Sequence, residues 1–137
     1  MATIGPVTLR IEAVSGSTSS RVTVSYRIRF NSLDVLGNLR YREIIRLFGD
    51  DPPGGPSASD DLLFSFPRQT VRPNGQAALQ RTRIAQVPNR VLDEDRGSDE
   101  DEIYAEVRLR SLDASFPDPP PGHSAVISQL VAEPSES

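Results

Sequence analysis

Residues 21–30 alternate without a break. Val22, Val24, Tyr26, Ile28 and Phe30 take one parity, and Arg21, Thr23, Ser25, Arg27 and Arg29 the other. Successive side chains of an extended chain point to opposite faces, so this run fits a strand with one face in a core and one in water. The pattern returns at Leu39, Tyr41, Glu43, Ile45 and Leu47, interleaved with Arg40, Arg42, Ile44 and Arg46. It returns again at Ile103, Ala105, Val107 and Leu109, interleaved with Tyr104, Glu106, Arg108 and Arg110. Fainter versions span 7–13, 61–66, 77–87 and 124–131, which brings the expected count to about seven strands.

The intervening segments are rich in residues that turn a chain. Ser15-Gly16-Ser17-Thr18-Ser19-Ser20 reads as a link, and Pro52-Pro53-Gly54-Gly55-Pro56 interrupts the stretch from Asp50 to Asp60. Pro73-Asn74-Gly75 is a turn because Asn and Gly tolerate positive φ. Asp118-Pro119-Pro120-Pro121-Gly122 lacks the amide donors a central strand needs. A helical period persists only around Ser32 to Leu39, where Leu33, Leu36 and Gly37 suggest a single turn. The expected fold class is therefore all-β, a single antiparallel β-sandwich domain over 1–132, with 133–137 as a C-terminal tail.

The stretch Asp99-Glu100-Asp101-Glu102-Ile103-Tyr104-Ala105 resembles the entry to the sixth strand of immunoglobulin-like domains, where an acidic residue precedes a corner tyrosine. The resemblance implies an immunoglobulin-like arrangement of layers, and function does not follow from layers. The apolar parity of this strand places Tyr104 on the face opposite Ile103 and Ala105.

Composition narrows the chemistry. The chain has no cysteine, which excludes disulfides, thiolate metal sites and cysteine nucleophiles. A net charge of −4 argues against nucleic acid as a partner. No run of about 18 apolar residues is present, so no membrane partner is expected. The opening residues lack a basic segment followed by an apolar run, so no signal peptide is read. The expected location is cytoplasmic or within an assembled particle. His123, the single histidine, reads as a turn residue, and no glycine-rich phosphate loop precedes a helix. An enzyme is not expected; a small hydrolase is the third-ranked reading.

Charge is sorted along the chain. If successive strands alternate direction, residues 14–20, 49–60 and 88–102 gather at one end. With Asp61 at the boundary they hold eleven of the nineteen acidic residues against Arg90 and Arg96, a formal −9. Since the whole chain is −4, the remainder carries +5. Such carboxylates are hard oxygen donors, and Asp93, Asp95, Asp99 and Asp101, completed by Asp50 and Asp61, form a candidate Ca2+ site. All basic residues are arginine. Arg27, Arg29, Arg40, Arg42, Arg81, Arg83 and Arg108 fall on expected strands, mostly facing outward, and form a candidate partner-binding surface suited to carboxylates. Glu12, Glu43 and Glu106 are the acids placed to neutralise some of them. The leading expectation is a non-catalytic structural or interaction module without a cofactor, a subunit of a larger assembly whose partner is another copy of itself. A calcium-binding β-sandwich adhesion module is the alternative.

Overall fold

In the computed structural model, residues 2–49, 60–92, 101–113, 118–125 and 127–129 are described, for 101 and 127–129 as backbone only. They form ten strands and two short helices. In chain order these are β1 (Thr3–Ile4), β2 (Thr8–Ala13), β3 (Ser19–Arg29), α1 (Ser32–Gly37), β4 (Tyr41–Gly49), β5 (Asp61–Ser65), β6 (Gln69–Val71), β7 (Ala78–Pro88), α2 (Asn89–Leu92), β8 (Asp101–Ser111), β9 (Gly122–His123) and β10 (Ile127–Gln129). The strongly alternating segments are the long strands β3, β4 and β8. The helix at Asn89–Leu92 follows a strand too closely to have shown a period in the sequence.

The strands make two antiparallel sheets. In the first, β1 and β2 lie along one edge of β3, and β7 lies along the other. In the second, β8 lies between β4 on one side and β9 and β10 on the other, while β5 and β6 flank the free side of β4. A single parallel bridge, Val7 to Ser124, joins the first sheet's margin to the second. This join is tight: a Cβ on Gly122 would stand 2.7 Å from Ile4 Cγ2 and 2.9 Å from Val7 Cγ2.

Both sheets feed one core. Val22, Val24, Tyr26 and Ile28 from β3 share it with Tyr41, Ile45 and Leu47 from β4 and Ile103, Ala105, Val107 and Leu109 from β8. All are essentially without solvent exposure, and each aliphatic side chain so buried contributes about 1.5–3 kcal/mol.

The connection from β3 to β4 is held by α1. Asn31 Oδ1 accepts from the Asp34 amide at 2.8 Å, and Asp34 Oδ2 accepts from the Asn31 amide at 3.0 Å, a reciprocal cap. Asn38 closes the helix in the left-handed region at φ 46°. Asp34 is fully buried and its Oδ1 accepts from the Tyr41 hydroxyl at 2.7 Å. Burial, and then this hydrogen bond to a carboxylate, push the Tyr41 hydroxyl up to about 12. None of the described helices is long and apolar enough to cross a membrane.

Tyr104 is not a corner tyrosine. It faces away from the core, as its parity requires. Its hydroxyl donates to Asp60 Oδ2 at 2.7 Å, and its ring stacks on Phe48 at 5.6 Å between centroids.

Candidate interaction surface

Register decides which arginines face outward. Arg81 pairs with Tyr26 and Arg83 with Val24 across β7 and β3, so both share the inward parity. This corrects the outward placement expected from the sequence. Both guanidinium groups turn toward Glu43 on β4, which is fully buried. Arg81 Nε donates to Glu43 Oε2 at 2.9 Å and its Nη2 to Oε1 at 3.1 Å. Arg83 and the Tyr26 hydroxyl also donate to the same carboxylate. Burial alone would raise the Glu43 pKa, but its donors Arg81, Tyr26 and Arg83 outweigh that and hold it below the ordinary glutamate range. Burial and the charge on Glu43 push the Tyr26 hydroxyl up. These groups tie the two sheets together, so Arg81 and Arg83 do not belong to an outer partner-binding face. The sequence did carry a signal: Glu43 stands on the apolar parity of its strand, and Arg81 and Arg83 stand on the parity of Leu79 and Val87.

A second carboxylate organises the outer face of the other sheet. Glu106 accepts from Arg46 at 2.5 Å and from Arg108 at 2.8 Å. His123 Nε2 lies 3.3 Å from Glu106 Oε2, and its ring meets that of Tyr104 edge-on at 5.9 Å. Burial opposes ionisation of Glu106, but the Arg108 and Arg46 contacts win and hold it below the ordinary range. Reading His123 as a turn residue missed this: it lies on β9, opposite Glu106 in register. Pairing across 17 positions leaves no local trace in the sequence. The neighbouring Ser124 hydroxyl is engaged with backbone, accepting from the Ala105 amide at 2.8 Å and donating to the Ala125 carbonyl at 3.0 Å.

Further along the same outer face the neutralisation stops. Arg42 stands directly opposite Arg110 across β4 and β8. Both are exposed, and neither makes an ion pair among the described residues. Like charges directly opposed weaken a sheet. Arg40 is bound to Asp113, through its amide at 2.6 Å and its guanidinium at 3.1 Å. On the first sheet, Arg27 and Arg29 are also exposed and without ion pairs among the described residues. Arg42, Arg110 and Arg29 all lie at the end where β4 begins and β3 finishes. Leu33 and Leu36, 59% and 83% exposed, sit on α1 between those two strands.

At the opposite end stand the described residues that flank the acidic segments. Gly49 pairs with both Asp61 and Ile103, while Ser19 pairs with Pro88, and α2 bridges from β7 toward β5. The described residues that flank 50–59 and 93–100 thus converge, as alternating topology requires. Among the proposed oxygen ligands, Asp50, Asp93, Asp95 and Asp99 lie outside the described residues, and Asp101 is described as backbone alone. Asp61 is exposed at the start of β5. The described residues contain no group of three or more acidic or histidine side chains placed to hold a metal ion.

No family model matches the chain, and neither a curated protein nor a solved structure matches it.

Proposed function

We propose that the chain is a non-catalytic interaction module, an immunoglobulin-like β-sandwich that assembles head to tail, the acidic end of one copy against the arginine-bearing end of the next. The strand order supports the immunoglobulin-like reading. Taking β1 with β2, β5 with β6 and β9 with β10 as single positions, the first, second and fifth strands share one sheet, and the seventh, sixth, third and fourth share the other.

The observation that carries the assembly reading is the opposed pair Arg42 and Arg110. At two other places in the molecule, Glu43 and Glu106, a pair of arginines is gathered around one carboxylate. Here two exposed arginines stand directly opposite each other on neighbouring strands, and neither forms an ion pair among the described residues. A carboxylate-rich segment from another molecule relieves that repulsion and fits the bidentate geometry of arginine. The exposed Leu33 and Leu36 give such a contact an apolar component. A contact between two different ends is heterologous, and repeats into rings or filaments.

Reversing both charges, with Arg42→Glu and Arg110→Glu, tests this. Both side chains are exposed, so folding is retained, and the expected result is loss of species larger than a dimer, as read by light scattering at low salt. Association undiminished in the doubly reversed protein would reject the arginine pair as the contact. The competing reading, a calcium-binding adhesion module, is supported by the convergence of the strand ends that flank the acidic segments. It predicts a calcium-dependent rise in unfolding midpoint, because an ion bound only by the folded state stabilises it.

A further inference from the structure

The first sheet has two margins, and the chain treats them differently. At one, β2 presents Arg10 and Glu12 on its outer row, and the parallel bridge from Val7 to Ser124 ties the margin to the second sheet. At the other, β7 pairs only with β3 among the described residues. Strand margins expose a row of unpaired amides and carbonyls. Folded proteins commonly blunt them with short length, bulges, proline or charge.

β7 has none of these along its body. It runs for 11 residues and matches β3 one for one from Ala78 opposite Arg29 to Pro88 opposite Ser19, with no register shift. Its one proline is the final residue. The outer row, Ala78, Gln80, Thr82, Ile84 and Gln86, carries no charge, and Ile84 is 60% exposed. The inner row does hold two charges, Arg81 and Arg83, of the kind that protects a margin when left in solvent. Glu43 draws both away, leaving the Arg81 side chain 21% exposed and the Arg83 side chain 11%.

We propose that β7 is a pairing edge through which two copies join antiparallel, extending the four-stranded sheet of each into one continuous sheet across the pair. The register follows from the arginines. Inner residues must pair with inner residues for the sheet to continue, so the two-fold axis passes through a residue. An axis at Arg83 would oppose Arg83 to its own copy, and an axis at Thr82 would oppose Arg81 to Arg83 of the second copy, both unfavourable. An axis at Ile84 sets Ile84 against Ile84 of the second copy and covers both. It also sets Arg83 against Ala85 and Arg81 against Val87. Thr82 then meets Gln86, so the outer row pairs without any charge. This contact is isologous and closes at two copies, unlike the head-to-tail contact, and it does not depend on it.

Since the chain has no cysteine, Ile84→Cys gives a single thiol at the axis. Directly opposed strand residues have Cα atoms about 4.5–5.5 Å apart, within the span a disulfide bridges. The experiment compares Ile84→Cys with Arg10→Cys, on the other margin, under mild oxidation in high salt, where charge-driven association is screened. The expected result is a disulfide-linked dimer for Ile84→Cys and none for Arg10→Cys. Sedimentation of the unmodified chain in the same buffer is expected to give a dimer whose unfolding midpoint rises with protein concentration, and Ile84→Lys a folded monomer whose midpoint does not. Equal cross-linking of the two thiols, or a monomeric unmodified chain at every concentration, would overturn the pairing edge.

Discussion

Arg81 reaches from the margin of one sheet to Glu43 at the centre of the other, 38 positions away, and binds it through two nitrogens at 2.9 and 3.1 Å. The contact, shared with Arg83 and Tyr26, places an anion and two cations inside an otherwise apolar layer. A charge taken out of water in this way is tolerated only while its partners remain. Glu43→Leu is therefore expected to cost about 3–5 kcal/mol, because two half-buried guanidinium groups lose their carboxylate. Replacing Glu43, Arg81 and Arg83 together by Leu is expected to recover most of that loss. Equilibrium denaturant unfolding of both proteins checks the difference.

Acid should undo the same contacts. Glu43 and Glu106 are both held below the ordinary glutamate value of 4.5. A carboxyl group whose folded pKa is depressed contributes stability that is present above its unfolded pKa and lost as pH falls through the folded one. Unfolding free energy is thus expected to be flat above pH 4.5 as far as these groups are concerned, and to decline below it. Glu106→Gln should remove part of that decline. A titration of the denaturation midpoint against pH, with and without the substitution, reads both effects.

Gly122 is chosen by space. Adding a methyl group there meets Ile4 Cγ2 and Val7 Cγ2 at under 3 Å, so Gly122→Ala must displace either β9 or the Ile4 and Val7 side chains of β1 and the segment after it. The expected cost is about 1–3 kcal/mol, as for other overpacked sites. Thermal unfolding measures it. Gly75, whose Cβ would meet nothing within 4 Å, is the wrong control because its φ is +82° and any side chain there is strained.

Much of this fold was legible because the period of two is a local property. The alternation in 21–30, 39–47 and 103–110 located β3, β4 and β8, and the same parity correctly set Tyr104 outside the core. The single turn expected over Ser32 to Leu39 from Leu33, Leu36 and Gly37 is α1, legible for a similar reason, since a helical period is also local; its caps, Asn31 and Asn38, were not read from the sequence. What remained hidden was long-range. Whether Arg81 faces solvent or Glu43 depends on the register of β7 against β3 and on which strand lies across the core, and neither is encoded within β7. His123 against Glu106 is hidden in the same way. The Ca2+ ligand set proposed from spacing falls largely on residues outside those described.

Head-to-tail assembly through opposite ends makes one demand that strand pairing and a simple soluble domain do not: association must weaken as salt rises. Sedimentation velocity of the unmodified chain across a salt series measures this most directly. Head-to-tail assembly predicts species larger than a dimer at low salt that dissociate as ionic strength rises, and that are absent from the Arg42→Glu, Arg110→Glu protein at any salt. A size distribution unchanged by salt, or one unchanged by reversal of both arginines, would contradict it.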